Sequence, residues 1–548
     1  MYQTRDFEIF PICALEKVRG LRPQLYEDEN TVLSGERASF QVAYRSVGKT
    51  LTDLFYTVEG VGSENLSVYT VRSVPCTYPK AENSDDYLLD DKPCLMPDVL
   101  AKASAAGIVA RSGVWQSFFV TLDNLSAGTY NIRFTIYNSL EKVLGSVDYS
   151  LEVLPVELPE NDLICSFWMH YDSIAEQYGV PPFSKEFNAI LEKYIKSAVK
   201  HGLTTLLTPL FTPPVDTGIG KERMTAQLVG VKKIGKDYVF DFEKLGEFMS
   251  LAEKCGVKYF ETAHLFTQWG GGFAPKIIVN VDGEDKRLFG WDTAALGEEY
   301  SSFLSVFLPE LRRWLISCNR YEKCFFHLSD EPDLKALEHY KKCSAFVRKF
   351  LPDAKFTDAM SHYEYYEQKL VDYPFVALDE TESFIENNAR NYFVYYCMAQ
   401  RNKYVSNRFL SMPLERTRII GAQMYINGVR GFLQWGYNYY YSFLTREKID
   451  PFFITDCMGK FQSGDSFVVY PDENGVIESM RNEAFLQGVQ DYLALKVLEK
   501  SIGKKAVVSL LESCGLQKNF NDYPKNTAWI TLLRKRINRK IAENIRGL

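Results

Sequence analysis

Six histidines in 548 residues, none of them in H-x-H or H-E-x-x-H spacing, leave a hydrolytic metal centre without its usual ligands. Eleven scattered cysteines, an odd count with no C-x-x-C pair, indicate neither a zinc ribbon nor a disulfide framework, so reduced thiols in a cytoplasm are expected. No apolar run is long enough to span a bilayer. The opening MYQTRDFEIFPICALEKVRG carries acids where an export signal needs a basic start and an unbroken apolar stretch. A Gly-rich phosphate loop, a serine nucleophile elbow and a dinucleotide fingerprint are all missing, so no cofactor and no metal is expected. Basic excess is missing too. The 63 Lys and Arg face 70 Asp and Glu, and the net charge of -7 argues against nucleic acid or an anionic membrane as partner.

What the chain has instead is aromatic surface, 34 Tyr and 37 Phe. Flat apolar faces with polar tips suit sugar rings, although most such residues build core. The length predicts two or three domains. Residues 1–157 read as an all-β sandwich: in TYNIRFTIY, residues Tyr130, Ile132, Phe134 and Ile136 alternate with Asn131, Arg133 and Thr135, as in a half-buried strand. Prolines 155 and 159 mark a boundary. From Leu163 the pattern becomes strand, helix, strand, repeated. The strands are LICSFWM, TTLLTPL, VKYFETA, KCFFHL, KFTDAM, FVALDE, YFVYYCM and GFLQWGY, and their continuous apolar runs are those of buried parallel strands. This predicts a (β/α)8 TIM barrel over 158–500, with FVVYPDENGVIES as a small hairpin. Residues 501–548 should be a helical extension packed on the barrel. There Leu533, Ile537, Ile541 and Ile545 face inward, and Arg534, Lys535, Arg536 and Arg539 face water.

The chemistry gathers at Asp330-Glu331 in FFHLSDEP, where the fourth strand ends and a helix is expected to open at Pro332. The same residues could be a helix start, with N-cap, N1 proline and acids near the dipole. In a barrel, however, the carboxyl ends of the strands carry the acid and base. Two consecutive acids approach a substrate from one side, whereas ordinary glycosidases flank the scissile bond with carboxylates from different strands. The pair therefore suits substrate assistance, in which the sugar's own 2-acetamido oxygen attacks the anomeric carbon. One acid protonates the leaving oxygen; its neighbour holds the acetamido N–H and offsets the charge of an oxazolinium intermediate.

SFWM with YGVPPFSKE, Asp330-Glu331-Pro332, TDAM, GFLQWGY, GDSFVVYP and MRNEAFLQGVQDY resemble glycoside hydrolase family 123, the bacterial β-N-acetylgalactosaminidases, over nearly the whole length. The resemblance implies an N-terminal β-sandwich joined to a (β/α)8 domain, with Glu331 as general acid/base and Asp330 as the acetamido-orienting residue. It also implies that Tyr396, Trp435 and Tyr437 line the sugar pocket. The chain departs from the pattern at Val394-Tyr395-Tyr396, where tryptophan-rich sequence is expected. Trp168, His170, His264 and Asp358, all near strand ends, are further expected substrate contacts, and Glu261 contacts substrate or braces the site. Asp379-Glu380, a second acid pair without a following proline, reads as non-catalytic, and Gly270-Gly271-Gly272 after Trp269 reads as a mobile loop over the pocket. The expected partner is a carbohydrate, with homo-oligomer formation left open. Two alternatives remain: a retaining glycosidase whose nucleophile is a protein carboxylate such as Glu261 or Glu380, and a catalytically silent sugar-binding protein on the same scaffold.

Overall fold

The computed structural model describes residues 2–24, 30–473 and 475–546. The N-terminal region is two β-sheets packed face to face. One runs in the order Tyr2–Gln3, Val143–Glu157, Gly128–Tyr137, Leu51–Glu59, Ala106–Ala110, with Asn30–Ser34 parallel to Val143–Glu157. The other runs Phe7–Cys13, Ala38–Ser46, Gln116–Leu122, Leu66–Cys76, Cys94–Lys102. Alternation puts Ile132, Phe134 and Ile136 between the sheets, and Phe40 stacks on Tyr149 at 3.9 Å. Tyr130 is only partly buried and Thr135 is buried, so the alternation loosens at the strand's ends.

A third sheet, all parallel, follows. Its segments are Ile164–Phe167, Thr205–Thr208, Tyr259–Thr262, Cys324–Phe326, Lys355–Phe356, Ala359–Met360, Phe375–Ala377, Phe393–Tyr395 and Gly431–Gln434. Ile164–Phe167 pairs with both Thr205–Thr208 and Gly431–Gln434, so first and last strands meet and the sheet curls. Its two edges, Lys355–Phe356 and Ala359–Met360, are pieces of one strand interrupted at Thr357 and Asp358. The outcome is a curled parallel sheet wrapped by helices that matches a closed barrel in outline only. Every segment falls within an expected run, but the fifth strand does not continue its ladder. Two hairpins inserted after the second and third strands, Gly230–Ile234 with Asp237–Asp241 and Ile277–Val281 with Glu284–Phe289, form a separate sheet that sequence periodicity did not reveal.

The helix Lys185–Lys200 shows how local sequence builds the wrap. Ser184 caps it by accepting from Phe187 N–H, and Phe187, Leu191, Tyr194, Ile195 and Ala198 form one buried stripe. The expected hairpin forms as Tyr470–Asp472 and Gly475–Ser479, but it does not stand alone. Glu478 and Ser479 pair with Leu100 and Val99, so the hairpin extends a sandwich sheet. The last helix, Thr527–Arg546, buries Leu533, Ile537 and Ile541; the Ile545 side chain lies outside the described residues. Arg534 is a correction. It is buried, bonded to Glu36 at 2.5 Å and Asp491 at 3.0 Å, because the helix seats against Asn30–Ser34 and the helix Met480–Ile502. No helix among the described residues is long and apolar enough to cross a membrane, and all eleven cysteines are unpaired.

Candidate active site

Asp330 and Glu331 follow the fourth parallel strand, at the carboxyl end of the sheet. No helix opens at Pro332. A 3₁₀ turn at Leu334–Ala336 precedes the helix Leu337–Arg348, and the capping carboxylate is Asp333, which accepts from Ala336 N–H at 3.0 Å. The capping explanation therefore belongs to Asp333, and Asp330-Glu331 stand before the helix.

Glu331 holds a left-handed backbone, φ 40°, unusual for a residue with a side chain and costly unless its surroundings enforce it. They do. Glu331 N–H donates to the Ala359 carbonyl at 3.0 Å, and the Asp330 carbonyl accepts from Trp269 N–H at 2.7 Å. Trp269 is itself left-handed, φ 62°, and half exposed. The glycine loop after it is anchored by Gly270 N–H to Ser329 Oγ, Gly271 N–H to Thr267 O, and His339 Nε2 to Gly271 O, so its backbone is tied to both neighbouring strand ends. Glu331 is open to solvent, Asp330 half-buried, and Tyr395 donates its hydroxyl to Glu331 Oε1 at 2.6 Å.

Crowding by protein, then the fields of Glu331 and Asp216, push the Asp330 carboxyl well above its ordinary value. Protein packed around Glu331 raises it too, despite its exposed edge, with Tyr395 pulling the other way and Asp379 adding to the rise. Neighbouring like charges oppose each other's ionisation, which raises both carboxyls in the direction an acid/base site needs. Two carboxylates missed in the sequence join them. Asp216, left-handed at φ 49° in the loop after the second strand, is pushed up to about 7 by burial, with Asp465 and Glu331 adding and Arg223 opposing. Asp465, fully buried after the eighth strand, is also pushed up to about 7 by burial. One of its oxygens accepts from Trp435 Nε1 at 3.0 Å, and the other has no partner. Asp465 lies in the quoted GDSFVVYP segment and could have been found there; Asp216 in PVDTG carries no comparable signal.

Trp435 faces the inside of the curl, where His170, Tyr439 and Phe461 meet it edge-on. Trp168 also points inward, but its indole N–H is committed to Glu261 at 3.0 Å. Other expected contacts are corrected. Tyr396 and Tyr437 are fully buried on the outer face of the sheet, Tyr396 against Phe432 and Tyr437 bonded to Ser197, because successive strand side chains point to opposite faces. Tyr395, the neighbour of Tyr396, is the one that reaches the acid pair. His170 is buried and pushed down to about 3 by burial and then Arg223; it accepts from Arg223 at 3.1 Å and donates to the Trp435 carbonyl at 2.9 Å, so it fixes Trp435 and has no free nitrogen. His264 and Asp358 are buried beneath the mouth, and His264 packs at 4.4 Å from His327. His264, His327 and Asp358 are the one His/carboxylate group among the described residues close enough to hold a metal, with ligand atoms within 4.8 Å. The fit is poor, since both His327 nitrogens and both Asp358 oxygens are already engaged in hydrogen bonds. A wide groove of about 840 Å³ on the sandwich, lined by Arg72, Lys102 and Trp115, has no comparable convergence of acids, so chemistry and not volume locates the site.

A curled parallel sheet that presents coupled carboxylates and an aromatic wall at its carboxyl ends defines a sugar-hydrolase type of site. The sequence model of the glycoside hydrolase 123 catalytic domain matches residues 168–498, more than half the chain, so the chain belongs to glycoside hydrolase family 123. Among solved structures it is similar to a family 123 glycoside hydrolase from Clostridium perfringens studied for glycolipid glycan hydrolysis, at 13% identity, with 99% of this chain and 98% of that one covered and a TM-score of 0.74. A β-glucuronidase from Parabacteroides merdae aligns at 10% identity over 84% of this chain and 51% of that one, with a TM-score of only 0.32. Searching curated proteins by sequence returned no match.

Proposed function

We propose that this glycosidase releases terminal β-linked N-acetylhexosamine, galacto-configured, with retention and by substrate assistance, from a (β/α)8-type catalytic domain in a reducing, cytoplasmic setting. The observation that carries the reading is Asp330-Glu331 leaving one strand end together, outside the helix cap, so that both acids meet the sugar from one side. Glu331 acts as general acid/base and Asp330 orients the acetamido group. Burial and neighbouring carboxylates push both acids up, Asp330 well above its ordinary value, which works against the ionised Asp330 that its role needs. The positive charge growing on the oxazoline ring beside Asp330 pulls its pKa down and leaves Glu331 to carry the proton. A glycan-linked β-N-acetylgalactosamine is the substrate class we favour, and the similar family 123 enzyme from Clostridium perfringens, studied for glycolipid glycan hydrolysis, supports a glycan as its carrier.

A protein nucleophile is the second reading, and its best candidate changes. Glu261 is fully buried, with one oxygen shared by Ser166, Trp168 and His327, and exposed Glu380 pairs with Lys403. Asp216, on the loop after the second strand and within the fields of Glu331 and Asp330, is the carboxylate left for that role.

A panel of chromogenic β-glycosides separates the readings. Only N-acetylgalactosamine and N-acetylglucosamine glycosides should turn over, because the nucleophile comes with the substrate. Comparable hydrolysis of β-galactoside, lost in Asp216→Asn, would establish the protein-nucleophile route instead. A thiazoline mimic of the intermediate should inhibit strongly.

A further inference from the structure

The interruption of the fifth strand is filled by a side chain. A continuous parallel ladder would offer Leu328 N–H a backbone carbonyl of the fifth strand. Here the Asp358 carboxylate takes that place: it accepts from Leu328 N–H at 3.0 Å, Ser329 N–H at 3.2 Å and the Tyr340 hydroxyl at 2.5 Å. The ladder resumes where Glu331 N–H meets the Ala359 carbonyl. The Asp330 peptide is thus held on one side by the Asp358 side chain and on the other by the next residue of the same strand.

Asp358 does not act alone. His327 Nδ1 lies 2.9 Å from Asp358 Oδ1, and His327 Nε2 lies 3.4 Å from Glu261 Oε2, which also accepts from Ser166 Oγ and Trp168 Nε1. All three side chains are fully buried. An imidazole whose two nitrogens both face ionised carboxylates donates from both and carries a positive charge. We propose that Glu261, His327 and Asp358 are positioning residues: a buried carboxylate–imidazolium–carboxylate chain, closed across the gap in the sheet, that fixes the Asp330-Glu331 peptide and holds a positive charge behind Asp330.

The electrostatics agree. Burial alone would neutralise His327, but Asp358 and Glu261 bring it up to about 9. Burial opposes the charge of Asp358 as well, with His327 and Tyr340 pulling against it. The groups facing His327 are Glu261 and His264 from the third strand and its loop, Asp358 from the fifth, and Asp330 three residues along its own. Against Asp330, burial, Glu331, Asp216 and Asp358 all disfavour ionisation; His327 is the cation that favours it.

The proposal rests on the reading of Asp330 as an ionised group facing a cationic intermediate. The test is the pH–rate profile of the intact protein on an activated aryl β-N-acetylgalactosaminide. His327→Gln keeps a hydrogen-bonding side chain but removes the cation. Asp330 then needs a higher pH to ionise, so the acid limb should move to higher pH, with kcat down about 100-fold from misplacement and KM little changed. Glu261→Gln, which weakens the hold on the imidazolium while still offering an acceptor to Ser166 and Trp168, should move the limb the same way. It also serves if His327→Gln does not fold. Tyr396→Phe, which deletes a buried hydroxyl outside the chain, should leave the limb in place. If Asp330→Asn is inert but His327→Gln and Glu261→Gln keep the parent's profile, the brace is wrong and the reading of Asp330 stands. An active Asp330→Asn overturns both.

Discussion

Glu331 stands at the mouth with the Tyr395 hydroxyl donating to it at 2.6 Å, and a change at either residue tests the proposed acid role. Glu331→Gln can no longer give a proton but keeps the shape and the Tyr395 contact. It should lose most activity on alkyl or sugar leaving groups and much less on activated aryl ones, read as kcat/KM across a leaving-group series. Equal losses on both would remove Glu331 from the acid role. Tyr395→Phe and Tyr396→Phe are adjacent, identical changes with different expected results. Tyr395→Phe removes the donor to Glu331 and should change the activity and its pH dependence. Tyr396→Phe deletes a buried hydroxyl that has no partner, so activity should be retained and stability kept or raised. Strand parity is the reason, and it was legible once the strand was placed; the resemblance to family 123 pointed to the residue one position too far.

At the scale of elements, the acid pair is held by loops whose backbones take costly conformations. Asp216, Trp269 and Glu331 are all left-handed, on three different loops around one mouth. Glycines matter where elements approach most closely. A Cβ on Gly421, in the helix Ile420–Asn427, would sit 1.7 Å from the Gly488 carbonyl on Met480–Ile502. Gly421→Ala must therefore push apart the two helices beside the eighth strand, and it should cost about 1–3 kcal/mol in chemical denaturation. An unchanged midpoint would mean that the helices do not cross this tightly. The parallel segments and the main helices were readable because buried parallel strands are uninterrupted apolar runs and surface helices carry one apolar stripe. The two inserted hairpins escaped notice because GVKKIGKDYVFD and IIVNVDGEDKRLF mix exposed charges with short apolar runs, and weak periodicity of that kind resembles loop.

At the scale of the whole molecule, sandwich and parallel sheet are joined by buried charge. Arg481 of the long helix bonds Asp98 of the sandwich at 2.8 Å and 2.9 Å. Arg37 of the sandwich bonds Glu483 at 2.6 Å, and Glu483 also meets His201 at 3.0 Å. Burial would raise the Glu483 carboxyl, but Arg37 and His201 more than reverse that and bring it from 4.5 to about 2. Its stabilisation is therefore complete above about pH 4.5 and is lost as pH falls toward 2. His201 is raised above its ordinary 6.5 by Glu478 and Glu483 against the opposing effect of burial, so its share is complete below 6.5 and is lost at higher pH as the ring deprotonates. The joint should be strongest between roughly pH 4.5 and 6.5. Thermal melts of the parent should show its acid-side loss of stability between pH 4.5 and 2, and Glu483→Gln, already destabilised, should change less over that range. Parallel curves for the two proteins would exclude Glu483 from the joint.

The sequence by itself determined the order of the architecture, an all-β region and then alternating parallel strands and helices, because periodicity is local and each element carries its own. It also placed Asp330-Glu331 at the end of the fourth strand, the position from which the proposed chemistry is argued. Tertiary structure decided which face each aromatic takes, that Asp333 caps the helix, that Asp216 and Asp465 join the acids, and that Asp358 bridges a broken ladder. The Asp333 cap is local, but the Asp465 and Asp358 contacts join groups 30 residues apart in a space with little water. Burial and neighbouring charge then set what each group does, and neither can be read along the chain.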